Sequence, residues 1–190
     1  MADPHRRAPS PMIVQRRGEK AGVRANLFIA VVLAVAALTS GCDAVSSKAN
    51  GVSEPLTPEQ SKAQVVDAAR EIVQTLKLDA SAVVFRRSSC NDQHEAPFRG
   101  VVRIKYPLAS SFEASGSEVE QMVQQLKSNG WGENTDFKTH ASSLAKNQVV
   151  AVFNPQAKGT VNRSIELYGE CRDVTTTKDS AGTTEQIDLN

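Results

Sequence analysis

Aromatic residues are scarce in this 190-residue chain: one Trp, two Tyr and six Phe make up 5% of it. That scarcity argues against a broad stacking platform for bases or sugars. Cysteine and histidine occur three times each, too few for a dense disulfide scaffold or a histidine-rich metal tract. Neither sign of charge dominates, since Lys+Arg is 22 and Asp+Glu is 21. Nucleic-acid binding, which needs a clustered basic face, is therefore not expected. No apolar run approaches the roughly 20 residues of a spanning helix. The one notable run, Leu27–Leu38, stops at Thr39. Gly-x-Ser-x-Gly and phosphate-loop spacings are also missing.

What is present begins with a leader. Met1–Asn26 is polar and basic, Leu27–Leu38 is apolar, and Thr39-Ser40-Gly41 supplies small residues. This is the tripartite pattern of a secretory signal. The reading starts at Met1, although Met12 would leave a leader of more ordinary length. Leu38-Thr39-Ser40-Gly41-Cys42 resembles a bacterial lipobox, with Thr39 where Leu is usual. The resemblance implies cleavage before Cys42 and a diacylglyceryl group on its thiol. Two or more acyl chains hold a protein stably at a bilayer, whereas one is marginal. The expected location is thus the cell membrane, lipid-anchored on its extracytoplasmic face.

Removing residues 1–41 changes the charge balance. Sixteen Lys/Arg then stand against nineteen Asp/Glu, a net −3. Asp43–Leu56 is small, polar and aperiodic, which predicts a flexible tether over 42–56. The folded domain is expected over 57–172. Thr57, Pro58 and Gln60 form a capping box ahead of an apolar stripe of Val65, Ala69, Ile72, Val73 and Leu76. Ala82–Ser88 and Val101–Pro107 read as strands joined by a ten-residue loop. Ser117 and Glu120 suggest a second capping box, with Val119, Met122, Val123 and Leu126 as the buried stripe and Asn129-Gly130 as the stop. Phe137–Ser142, Gln148–Asn154 and Thr160–Glu170 read as strands, with turns at Leu144–Asn147 and Pro155–Gly159. The order α-β-β-α-β-β-β predicts an α+β two-layer sandwich, an antiparallel sheet with two helices on one face. Arg172–Asn190 lacks apolar periodicity, so 173–190 is expected to be a disordered tail.

With Cys42 assigned to lipid, Cys90 and Cys171 remain. In an exported chain they are expected to pair as a structural disulfide, the alternative being two free thiols. Asp92, His94 and Glu95 place three potential ligands in four residues. They match no known metal spacing, and Ser88 or Ser89 with His94 as base lacks a nucleophile motif around it. A solvated loop is the expected reading, without metal or cofactor.

Ser88-Ser-Cys-Asn-Asp-Gln93, Pro97-Phe-Arg-Gly100, Gly130-Trp131 and Gly169-Glu-Cys-Arg172 together resemble a group of small actinobacterial lipoproteins, the LppJ-like group. The resemblance covers about Pro55–Arg172. It implies an envelope location, names no activity, and places glycine where this chain has His94. The expected function is a lipid-anchored envelope lipoprotein with a non-enzymatic binding domain. Its partners would be the membrane, through Cys42, and an envelope protein or ligand. The alternative is an envelope hydrolase or metal-dependent enzyme centred on Asp92, His94 and Glu95.

Overall fold

The computed structural model describes residues 51–133 and 136–189. The signal peptide expected over 1–41, the lipidation site expected at Cys42 and most of the expected tether lie outside them.

The first helix, α1 (Pro58–Leu76), starts as its sequence predicts. Thr57 Oγ1 accepts from the Gln60 amide, and the Gln60 side chain accepts from the Thr57 amide. Lys77 closes the helix in the left-handed region, at φ 49°. The antiparallel hairpin β1 (Ala82–Ser89) and β2 (Phe98–Tyr106) follows. The second helix, α2, runs over Phe112–Ser128 and begins five residues before the expected cap. Ser111, whose hydroxyl accepts from the Ala114 amide, is the cap in use. Ser117 is an exposed position inside the helix. Both serines offer a capping side chain, and the local pattern alone does not choose between them.

The short strand β3 (Gly132–Glu133) then leads to β4 (Ser142–Lys146), β5 (Val149–Asn154) and β6 (Arg163–Tyr168). The expected strand at Phe137–Ser142 is instead a loop, and β4 takes most of the expected turn. The hairpin turns at Asn147 and Gln148, with φ 48° and 66°. Positive φ at both central residues gives the turn whose twist matches the flanking strands.

The seven strands form one sheet in the order β3-β4-β5-β6-β2-β1-β7, with every strand pairing antiparallel. Strand β7 (Thr184–Gln186) and the one-turn helix α3 (Lys178–Ala181) come from the segment expected to be a disordered tail. That expectation fails for physical reasons the periodicity does not carry. Asp173 is completely buried, and its carboxylate accepts from the amides of Thr175 and Thr176 and from both hydroxyls. Ile187 and Leu189 pack on the core, and the Ile187 amide donates to the Val83 carbonyl. A three-residue edge strand is too short to show alternation.

The tether boundary also moves. Val52 is buried, and the Leu56 amide donates to the Arg172 carbonyl at 2.8 Å. The folded body therefore already includes Val52–Leu56.

One apolar cluster fills the space between the helices and one face of the sheet. Val65, Ala69 and Ile72 of α1 and Val119 and Leu126 of α2 meet Phe85, Val102, Ile104, Phe153, Ile165 and Leu167. Two long helices on one face of an antiparallel sheet is the α+β two-layer sandwich expected. Trp131 is buried in the same cluster, and its indole N–H donates to Glu71 at 3.1 Å. Lys146 Nζ meets the same carboxylate at 2.7 Å.

Candidate functional site

Because alternate strand residues point to opposite faces, the register decides what the helix-free face presents. Three rows cross its centre. The first aligns Ala82, Lys105, Ser164 and Asn154. The second aligns Val84, Arg103, Glu166, Val152 and Ser143. The third aligns Arg86, Val101, Tyr168, Val150 and Ala145. Around β2 this face sets Arg86, Arg103, Lys105 and Glu166 among valine and alanine side chains, while the opposite face is the core.

Two adjoining hollows lie on it and share Arg103 and Lys105. The larger, about 510 Å³, is also lined by Asn154, Asn162, Ser164 and Glu166 and is rimmed by the 159–162 loop. The smaller, about 140 Å³, adds Val84, Arg86, Val101 and Thr184. Val161, on the rim, is 82% exposed. Arg163 also borders the larger hollow, but its guanidinium is buried and bound to Glu118 at 2.5 Å and to the Pro107 carbonyl.

Glu166 is the one carboxylate in these two linings. One of its oxygens meets Arg103, and the other accepts from the Tyr168 hydroxyl at 2.5 Å. Burial pushes Glu166 upward, but these hydrogen bonds and the Arg103 and Arg86 charges hold it below the usual carboxylate range. Burial, together with the bond to Glu166, pushes the Tyr168 hydroxyl up to about 12. At neutral pH the pair is therefore a charged acceptor and a neutral donor. Phe137 packs on the Tyr168 ring at 4.9 Å, and Arg99 lies over that ring at 5.7 Å.

The residues singled out in the sequence lie elsewhere. Cys90 and Cys171 are joined in a disulfide, with Cα atoms 6.0 Å apart. Their strands, β1 and β6, are not neighbours, because β2 lies between them. The bond thus closes over the start of β2. Asp92, His94 and Glu95 are exposed. Among the described residues no group of three His, Cys, Asp or Glu could hold a metal ion. The loop is ordered by other groups. Asn91 Nδ2 donates to the carbonyls of Glu95 and Ala96, and Asn91 Oδ1 accepts from the Glu95 amide. Ser89 Oγ donates to the Glu95 carbonyl at 2.7 Å, which commits that hydroxyl to the loop.

His94 has φ 60°, in the left-handed region where glycine has no steric penalty. The glycine that the resemblance implies at this place would adopt this conformation without that penalty. Replacing His94 by Gly is expected to raise stability by about 0.5–1 kcal/mol. Urea denaturation would measure it, and a loss of stability would mean that the imidazole supports the loop.

The motif glycines are equally structural. The Gly169 amide donates to the Gly100 carbonyl at 3.0 Å, so the two meet backbone to backbone beneath α1. The Gly100 amide donates to Ser61 Oγ at 2.9 Å. The open-face cations escaped sequence reading. Their signal was the alternation Val102-Arg103-Ile104-Lys105-Tyr106, in which every second residue is charged.

No solved structure matches the chain significantly. A family described as "Putative lipoprotein LppJ" matches residues 57–190, which includes the segment once expected to be a tail. Proteins of that name from Mycobacterium bovis and from two strains of Mycobacterium tuberculosis are each 33% identical over 153 residues. Each alignment covers 75% of this chain and 80% of the relative. A family match over most of the chain, joined to relatives at this identity, makes the chain a member of the LppJ lipoprotein family.

Proposed function

We propose that this lipoprotein is anchored in the cell membrane through acyl chains on Cys42, after removal of residues 1–41, on the extracytoplasmic face. Its domain is a binding module whose working surface is the helix-free side of the sheet. The observation that carries the reading is the charged cluster on that face. A two-layer sandwich needs only one side of its sheet for the core, and here the other side carries an ionised Glu166, a neutral Tyr168 and several cations around two hollows. The Cys90–Cys171 disulfide suits an oxidising compartment. The nine residues after Cys42 reach at most about 32 Å when fully extended, which keeps the domain close to the bilayer.

Metabolic labelling with a fatty-acid probe tests the anchor. Labelling is expected in the wild type and is expected to vanish in Cys42→Ala, with the protein shifting from membrane to soluble fractions. Unchanged labelling of that variant would overturn the anchor assignment. Crosslinking in the native cell from a photoreactive residue at position 161 tests the binding module, and a specific adduct is expected.

A further inference from the structure

We propose that the open-face groove binds a phosphate-bearing ligand through Arg86, Arg103 and Lys105. This deepens the binding-module reading and rests on it. The register brings the three cations together. Arg103 and Lys105 are two residues apart on one strand face, a separation of about 7 Å. Arg86 sits opposite Val101 and hence diagonal to Arg103, at about 7–8 Å. Like charges at that spacing oppose folding, and Glu166 offsets only one of the three. Its charge pairs with Arg103 and accepts from the Tyr168 hydroxyl, so it orients Arg103, and the three cations against one carboxylate leave an excess of two positive charges in the groove.

Arg103 is half exposed. Its guanidinium has five N–H donors, of which the contacts to Glu166 involve Nε and one terminal nitrogen. A guanidinium fork matches phosphate oxygens two at a time, and an ammonium adds a mobile point charge. A dianionic phosphate among these three groups would relieve their repulsion and accept from each. Asn154, Asn162 and Ser164 line the same hollow with neutral donors and acceptors. Its volume of about 510 Å³ falls in the range of small-molecule sites.

The chain from Cys42 joins the folded body over Val52–Leu56, and Leu56 bridges to Asp173 beside Phe98, the first residue of β2. Lys105 is seven residues further along that strand, about 23 Å away. The groove therefore runs from Arg86, paired with Val101 three residues from Phe98, to Lys105 at the far end of the strand.

The test uses the full chain purified in a non-ionic detergent. Inorganic phosphate, myo-inositol 1-phosphate and phosphatidylcholine vesicles with or without phosphatidylinositol are the probes, and acetate is the control. Saturable binding of the free phosphates, weaker at high salt and accompanied by a rise in Tm, is expected. Binding to the phosphatidylinositol vesicles alone would also support the groove while assigning its ligand to a lipid headgroup. The double variant R86Q/K105Q is expected to bind at least about tenfold more weakly. It should unfold no earlier than the wild type, because it removes repulsion; K77Q, on another element, should bind like the wild type. No saturable binding, equal binding of acetate and phosphate, or binding unaffected by R86Q/K105Q would overturn the proposal. A crosslinked partner at position 161 alongside absent phosphate binding would leave the binding module standing and remove only its ligand class.

Discussion

Replacing Cys90 and Cys171 together by alanine is expected to lower the unfolding free energy by about 4–5 kcal/mol. The two are 81 residues apart, and cross-linking a loop of that length removes most of its closure entropy from the unfolded chain. A domain of this size typically has only about 5–15 kcal/mol in hand, so such a loss is a large share of its stability. The melting temperature should fall by roughly 15 °C. The damage should concentrate at one corner. The bond lies where Cys90 accompanies the start of β2, with the Cys90 amide donating to the Pro97 carbonyl. Phe98 there exchanges backbone bonds with Asp173, and the Leu56 amide pairs with Arg172 next to it. Loss of the bond should therefore raise amide exchange first at Leu56, Phe98 and Asp173. A double variant that melts with the wild type would show that the closed loop adds nothing to this fold.

Gly100 carries the second large effect. A methyl group built there would stand 2.5 Å from the Ser61 carbonyl oxygen, 2.9 Å from Val65 Cγ2 and 3.2 Å from a Phe85 ring carbon. The oxygen belongs to the first turn of α1 and cannot rotate away. The helix would have to lift, breaking the Gly100 amide bond to Ser61 Oγ and opening the core beneath Val65. Gly100→Ala is expected to cost about 3 kcal/mol or more. Gly169→Ala is a useful contrast. Its nearest obstacle, at 2.7 Å, is the Gln64 side-chain oxygen, the far end of a flexible side chain. That variant should cost about 1–2 kcal/mol, chiefly the bonds between Gln64 and Glu170. Trimming Val65 to Ala should recover part of the Gly169→Ala loss and little of the Gly100→Ala loss, since the carbonyl stays. Chemical denaturation of the four variants decides this, and equal costs at the two glycines would refute the helix-contact argument.

Much of this fold could be read from local pattern. The capping box at Thr57, the α1 stripe and the strands around Val83 and Val101 repeat short-range rules, and the structure follows them closely. The misreadings share one cause. Ser111 and Ser117 offer the same local chemistry, and tertiary packing selects the earlier cap. Phe137 has strand-like neighbours, yet its ring is spent on Tyr168 rather than on a ladder. Residues 173–189 are held by one buried carboxylate and two apolar anchors, none of which makes a periodic signal. The candidate site was hidden in a similar way. Arg86, Arg103 and Glu166 come from three strands, and they become neighbours only through the pairing of β1, β2 and β6.

By itself, then, the chain's sequence determined the tripartite leader pattern with its single cysteine, the mildly acidic remainder and the α+β alternation of its elements. Each of these depends on residues close together in the chain, where spacing and side-chain chemistry suffice. Only the tertiary structure decided that the motif glycines serve helix contact and that the histidine loop is a supported turn. It also decided that β2 separates the two strands after which the disulfide cysteines follow and that the cations gather on the face without helices. Those outcomes depend on strand order and register. Shifting β2 by one residue would send Arg103 and Lys105 into the core and Ile104 to solvent. The burial of Ile104 and Val102 against α1 and α2 excludes that alternative, and so the core fixes the open face.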